Sequence, residues 1–98
     1  MAAYCYIIYS EKLNRYYVGA TNESVELRLE KHNTHAYGHH RFTAGASDWV
    51  LFLKIAANDY AHAVRMERRI KSMKSTTYIL NLQKYVELRQ KLHETTCI

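Results

Sequence analysis

Four kinds of side chain in this sequence can do chemistry together: phenols, a guanidinium, an imidazole and an isolated carboxylate. Tyr6 lies in the run Tyr4-Cys5-Tyr6-Ile7-Ile8-Tyr9, and Tyr17 follows in Tyr16-Tyr17-Val18-Gly19-Ala20. Arg28 and His32 are spaced i and i+4, so on a helix they stand one above the other. A guanidinium directed at a sheet surface contacts phosphate oxygens and stabilises the charge that builds up in phosphoryl transfer. The plainer reading is a surface ion pair or a snorkelling arginine, and His32 alone reads as a packing histidine. Between Arg65 and Lys74 stand five cations (Arg65, Arg68, Arg69, Lys71 and Lys74) and a single acid, Glu67. A lone carboxylate at the border of an apolar helix face can bind one Mg²⁺ whose other ligands are water and substrate phosphate. Its alternative is an i,i+4 ion pair with Lys71. The cations read mostly as a solvated face that can also grip a phosphate backbone.

The two phenols cooperate only in one strand register. Side chains alternate along a strand, and residues directly opposite in a hairpin share a face. If Tyr9 faces Tyr16, then Ile8 faces Tyr17, and Tyr6 and Tyr17 point the same way. A slip of one residue points them apart. Opposed residue numbers must therefore sum to an odd value. Otherwise these are half-buried sheet tyrosines.

The elements that must hold these residues can be read from the pattern. Tyr4–Tyr9 is aromatic and β-branched and reads as a strand. Ser10–Arg15 is a polar connection, and Tyr16–Ala20 is a short second strand, so the pair suggests an antiparallel hairpin. Helix-start residues at 21–24 introduce a first helix from about Glu23 to Asn33, with Val25 and Leu29 on its buried stripe. Residues 34–48 read as an irregular loop. Trp49–Ala56 is a nearly continuous apolar run, the pattern of a strand covered on both faces. Asn58-Asp59 caps a second helix, Tyr60 to Met73, with Ala63, Met66, Ile70 and Met73 on one face. Ser75 caps a further helix that runs on through Tyr85 and Leu92. The order β-β-α-β-α-α implies an α/β fold with a small three-stranded antiparallel sheet flanked by helices.

Composition narrows the classes. With 98 residues the chain has room for one domain, residues 1–98, with 75–98 as a C-terminal helical extension. Fourteen Lys and Arg against nine Asp and Glu leave a net charge of +5, the footprint of a polyanion partner, most often nucleic acid. No apolar run approaches the roughly 18 residues of a membrane span. The N-terminus lacks the charged start and apolar stretch of a secretory signal. Two cysteines are too few for a disulfide framework. These features together predict a cytoplasmic protein.

The loop segment His35-Ala36-Tyr37-Gly38-His39-His40-Arg41-Phe42-Thr43 clusters histidines, but no cysteine or second cluster accompanies them, which argues against structural zinc. A polar loop lying beside DNA fits better, with Tyr37, Arg41 and Thr43 as contacts.

Taken in order, these segments resemble a known family. Tyr4-Cys5-Tyr6 followed by Tyr17-Val18-Gly19 resembles the paired motif of the GIY-YIG endonuclease superfamily. Glu26-Leu27-Arg28-Leu29-Glu30-Lys31-His32-Asn33 resembles its first-helix signature. Met66-Glu67-Arg68-Arg69-Ile70-Lys71 resembles the second-helix segment of its small stand-alone, URI-type members. The resemblance covers roughly residues 4–74. It implies phosphodiester cleavage with one Mg²⁺ or Mn²⁺ ion held by Glu67. It further implies Tyr17 as general base, Tyr6 assisting or orienting, Arg28 stabilising the phosphate, and His32 in a supporting or proton-relay role. Two departures stand out. The first triplet lacks the family's glycine and isoleucine. Ala20 also stands where several members carry lysine, so one phosphate contact is missing or is supplied by Lys31 or Arg41.

The expected function is therefore a divalent-metal-dependent endonuclease acting on DNA, with Lys31, Arg41, Thr43, Arg68, Lys71 and Lys74 as nucleic-acid contacts. Because the sequence offers no separate recognition domain, structure-selective or weakly sequence-selective cutting is expected. No small-molecule cofactor and no membrane partner are implied, and nothing supports a homo-oligomer. The alternatives are a nucleic-acid-binding module of the same fold with negligible cleavage, and a protein-interaction domain using its aromatic hairpin.

Overall fold

The computed structural model describes residues 2–34 and 46–97. Strands β1 (Ala3–Ser10), β2 (Arg15–Thr21) and β3 (Val50–Ala57) form one antiparallel sheet in the order β2-β1-β3. Helix α1 (Val25–Asn33) lies between β2 and β3 in sequence, and α2 (Tyr60–Met73), α3 (Thr76–Lys84) and α4 (Val86–Thr96) follow. The predicted contacts Tyr37, Arg41 and Thr43 lie outside the described residues.

The hairpin is closed by a polar turn. Asn14 takes φ 50°, a left-handed conformation that asparagine tolerates. Its backbone N–H donates to the Glu11 carbonyl at 3.2 Å, and its side chain accepts from the Tyr9 hydroxyl at 2.8 Å. Asp48 fastens the turn to the start of β3. It accepts from the Ser10 hydroxyl at 2.6 Å and from the Lys12 backbone N–H at 2.9 Å. Those donors hold the Asp48 carboxyl below its usual range, the Ser10 hydroxyl being the leading cause. The resulting register pairs Ile8 with Tyr17 and Tyr9 with Tyr16, the odd-sum register that puts Tyr6 and Tyr17 on one face.

Alternation along β1 sorts the core into two layers. Tyr6 and Ile8 pack with Val25, Ala46 and Trp49 on the α1 side. Cys5 and Ile7 pack with Val18, Ile55, Met66, Ile70, Leu82 and Leu92 on the opposite side, under the later helices. Ala3, Ala20 and Ala63 meet where the first turn of α2 comes close to the sheet. Asn33 ties the end of α1 to the chain entering β3: its Nδ2 donates to the Trp49 carbonyl at 2.9 Å, and its Oδ1 accepts from the Trp49 N–H at 2.7 Å. A side-chain amide here reproduces a backbone pair.

Helix starts follow the sequence closely. Ser24, Asp59 and Ser75 are the N-caps of α1, α2 and α3, and each side chain accepts a backbone N–H three residues on. Val25, rather than Glu23, is therefore the first residue of α1.

Three expectations are corrected. The first concerns β3, which is an edge strand and not one covered on both faces. Val50 is 55% exposed and Leu51 39%. Two apolar runs compete for the centre, and the short turn to β2 makes β1 the strand bonded on both sides. A register shift opposite Ile7 and Ile8 places an extra β3 residue there. The second concerns the last helix, which breaks at Tyr85. That residue is extended (φ −114°, ψ 113°) and separates α3 from α4. Arg89 then reaches back from α4, its Nη1 donating to the carbonyls of Leu82 at 2.7 Å and Gln83 at 2.9 Å. The break lets Leu82 and Leu92 enter the same core. The third concerns Met73, which is 45% exposed while Ala63, Met66 and Ile70 are buried.

Candidate active site

The sheet face under α1 carries the first half of the site. Tyr6 projects from the central strand and is fully buried. Its ring lies across Gly19, its cross-strand partner. A Cβ on Gly19 would stand 2.5 Å from Tyr6 Oη and 2.6 Å from Cζ, so only glycine leaves room for the ring. Tyr6 Oη and His32 Nε2 share a buried hydrogen bond of 2.9 Å. When the phenol donates, His32 carries its proton on Nδ1. When Nε2 carries the proton, the imidazole donates to the phenol. This pair can move a proton without rearranging heavy atoms.

Tyr17 stands beside the same imidazole, with ring centroids 4.9 Å apart. It is only partly buried, so of the two phenols it is the one open to solvent. His32 sits in the last turn of α1, where the helix dipole favours positive charge. Arg28, half-buried, lies one turn earlier on the same helix.

The second half of the site comes from α2 on the other side of the sheet. Lys71 Nζ is 5.5 Å from the centroid of the Tyr17 ring and donates to Glu67 Oε2 at 2.6 Å. Glu67 is the better shielded of the two, with its side chain 21% exposed against 49% for Lys71. The structure thus links Tyr6, His32 and Tyr17 by direct contact, and Lys71 carries the link around the β2 edge to Glu67. The ion pair foreseen between Glu67 and Lys71 is present. A bridging role for Lys71 was not foreseen, because ring contacts across an edge strand leave no trace in helical spacing.

Beneath α2, Cys5 senses the same charges. Burial pushes its thiol up to about 12, with the Glu67 carboxylate adding to the rise and the Lys71 ammonium opposing it. A thiol so held is not a nucleophile near neutral pH.

Among the other predicted nucleic-acid contacts, Lys31 is engaged with Glu23 at 3.3 Å. Arg68 is exposed on α2. Lys74 ends α2 and, with Lys71, lines a cleft of about 480 Å³ between β2 and the α2–α3 junction. Tyr16 lines it as well and was missed from sequence. Gly19 was also missed, although an isolated glycine inside a strand is the signal for close approach.

Among the described residues no group of three or more His, Cys, Asp or Glu side chains could hold a metal ion. Glu67 is the carboxylate this face offers, with one oxygen already held by Lys71 Nζ at 2.6 Å; one carboxylate completed by water and phosphate oxygen is a donor set that hard divalent cations accept.

Fold and site define a small α/β domain with a phenol–imidazole pair on one face of the sheet and a carboxylate on a cationic helix on the other, linked at the strand edge through Tyr17 and Lys71. The chain belongs to the GIY-YIG family: the family model for the GIY-YIG catalytic domain matches residues 2–81 of the 98. GIY-YIG domains are typically nucleases, and they generally use divalent metals. No curated protein and no solved structure gave a significant match. Among the described residues no helix is long and apolar enough to cross a membrane.

Proposed function

We propose that the protein is a divalent-metal-dependent endonuclease that hydrolyses phosphodiester bonds in DNA with structural or weak sequence selectivity. The observation that carries this reading is the contact chain from Tyr6 through His32 to Tyr17, with Lys71 joining Tyr17 to Glu67.

In this reading the water oxygen forms the new bond to phosphorus, its proton passes to Tyr17 Oη as the phenol's own proton passes to His32, the bond from phosphorus to the leaving sugar oxygen breaks, and that oxygen takes up a proton from solvent. His32, in contact with Tyr17, relays the proton. Tyr6 holds the imidazole through its hydrogen bond and acts as a positioning residue, since it is fully buried. Arg28 stabilises charge on the phosphate oxygens. Glu67 would hold Mg²⁺ or Mn²⁺, which when bound supplies Lewis-acid polarisation of the phosphate and a more acidic water. Exposed Arg68 and the cleft lysines Lys71 and Lys74 grip the DNA backbone, and Lys31 on α1 joins them by exchanging Glu23 for phosphate. The contact set extends to Arg41 and Thr43.

The test is nicking of supercoiled plasmid with and without Mg²⁺ or Mn²⁺. Glu67→Ala and Tyr17→Phe should each lower the rate by about 10²-fold or more. Binding at low salt should persist and weaken as salt rises. Variants that cut like the parent would remove both residues from the site. A parent that binds and never cuts would leave the nucleic-acid-binding module.

A further inference from the structure

The cleft beside Tyr17 has a composition that backbone gripping alone does not require. Its volume of about 480 Å³ is within the range of about 300–1,000 Å³ typical of small-molecule sites. Val18, Ile70 and Ile79 give it an apolar floor, and the Tyr16 ring forms one wall. That ring is fixed by its neighbours: it lies 4.7 Å from the Tyr9 ring and 5.1 Å edge-on from Phe52. Lys71 and Lys74 supply the charge, and no carboxylate lines the cleft among the described residues.

Lys74 is the informative member. It occupies the left-handed position that ends α2, at φ 47° and ψ 41°. Glycine adopts that conformation without strain, whereas lysine does not. Among the described residues Lys74 makes no ion pair, unlike Lys71, which is held by Glu67. A strained cation at the mouth of an apolar cleft suits a ligand that is flat and apolar at one end and anionic at the other.

We infer that this cleft seats one nucleotide unit of the substrate strand adjacent to the bond being cut, with its base against Tyr16 and the apolar floor and its phosphate at Lys74. The inference rests on the nuclease reading, since Tyr17 is shared between the cleft and the site. Base–aromatic stacking tolerates any base, so the cleft would select single-stranded or splayed DNA rather than a sequence.

The test uses the full chain in EDTA and titrates 5′-phosphorylated tetrathymidylate by calorimetry at several salt concentrations. Two variants remove the cleft's chemistry while favouring the fold. Lys74→Gly relieves the left-handed position, and Thr76→Glu places an acid in the first turn of α3, where the helix dipole welcomes it. Both should melt at or above the parent temperature. Lys74→Gly should lower the slope of log K against log salt by about 0.7, one phosphate contact on a single strand. Thr76→Glu, which lines the same cleft, should weaken binding about tenfold by like-charge repulsion. An abasic tetramer should also bind more weakly than tetrathymidylate.

Failure of the parent to bind the oligonucleotide overturns the inference. So do equal binding by both variants, and equal binding of the abasic strand. The two readings fail separately. A parent that binds at the cleft but nicks no plasmid ends the nuclease reading and leaves a nucleotide site. A parent that nicks, with cleft variants that bind and nick unchanged, ends the cleft.

Discussion

Tyr6 and Gly19 are cross-strand partners in van der Waals register, and the phenol of one occupies the space that a side chain on the other would need. The same phenol bonds His32, so the glycine on β2 sets the position of an imidazole on α1. Sheet pairing and site geometry are one constraint here.

Gly19→Ala should accordingly damage activity more than folding. The new methyl must displace Tyr6 Oη and Cζ, and overpacking of this kind costs about 1–3 kcal/mol. Urea unfolding should show that loss, while plasmid nicking falls much further because the Tyr6–His32 bond is broken. A variant with parental nicking would show that the Tyr6 phenol does not position His32.

The two cysteines should differ in reactivity. Cys97 is exposed, and Cys5 is buried with its thiol pushed up to about 12. Iodoacetamide at pH 8 should label one thiol in the native protein, assigned to Cys97 by peptide mass, and both in denaturant. Native labelling of Cys5 would mean that β1 is not covered by α2 as described.

Acid should loosen the hairpin through Asp48. Its folded-state pKa is depressed by the Ser10 hydroxyl and then the Lys12 N–H. The stabilisation is therefore present above the unfolded carboxylate value, about 3.9, and is lost as pH falls through the lower folded value. Glu26 is depressed in the same direction, first by its own backbone N–H and then by Ser24. Asp48→Asn should flatten the pH dependence of unfolding free energy below about pH 4 without abolishing it. An unchanged profile would remove Asp48 as a contributor.

Arg89→Met keeps an aliphatic stem but removes the donor to the Leu82 and Gln83 carbonyls. Loss of a charge-assisted bond of this kind costs about 1.5–3 kcal/mol. Unfolding monitored by far-UV circular dichroism should show a destabilisation of that order. No change would mean that water caps α3 equally well.

Much of the positioning scaffold was legible in the residues themselves. Capping side chains are local signals, so Asp59 and Ser75 marked two helix starts, while Ser24 lay inside the span expected for α1 and is its cap. The span of α2 was legible from its Asp59 cap and from the apolar spacing of Ala63, Met66 and Ile70. Local spacing left two registers open, one residue apart, and only the folded hairpin selects the odd-sum one that pairs Tyr9 with Tyr16. The break at Tyr85 was not legible, because neither glycine nor proline marks it and its cause, Arg89 together with a shared core for Leu82 and Leu92, is tertiary. The covering of β3 was misread for a related reason. β1 and β3 are both apolar runs, and local sequence does not state which of them pairs on two sides.

The sequence by itself determined the family and the identity of the reactive groups, because these depend on residue type and short-range spacing. Only the tertiary structure decided that Tyr6 is buried over Gly19 while Tyr17 stays open. The same holds for Lys71 reaching around the β2 edge to join Tyr17 and Glu67, and for an apolar cleft forming beside them. Those outcomes arise from how helices on opposite faces of the sheet pack at one strand edge, and contacts between residues fifty positions apart leave no local pattern to read.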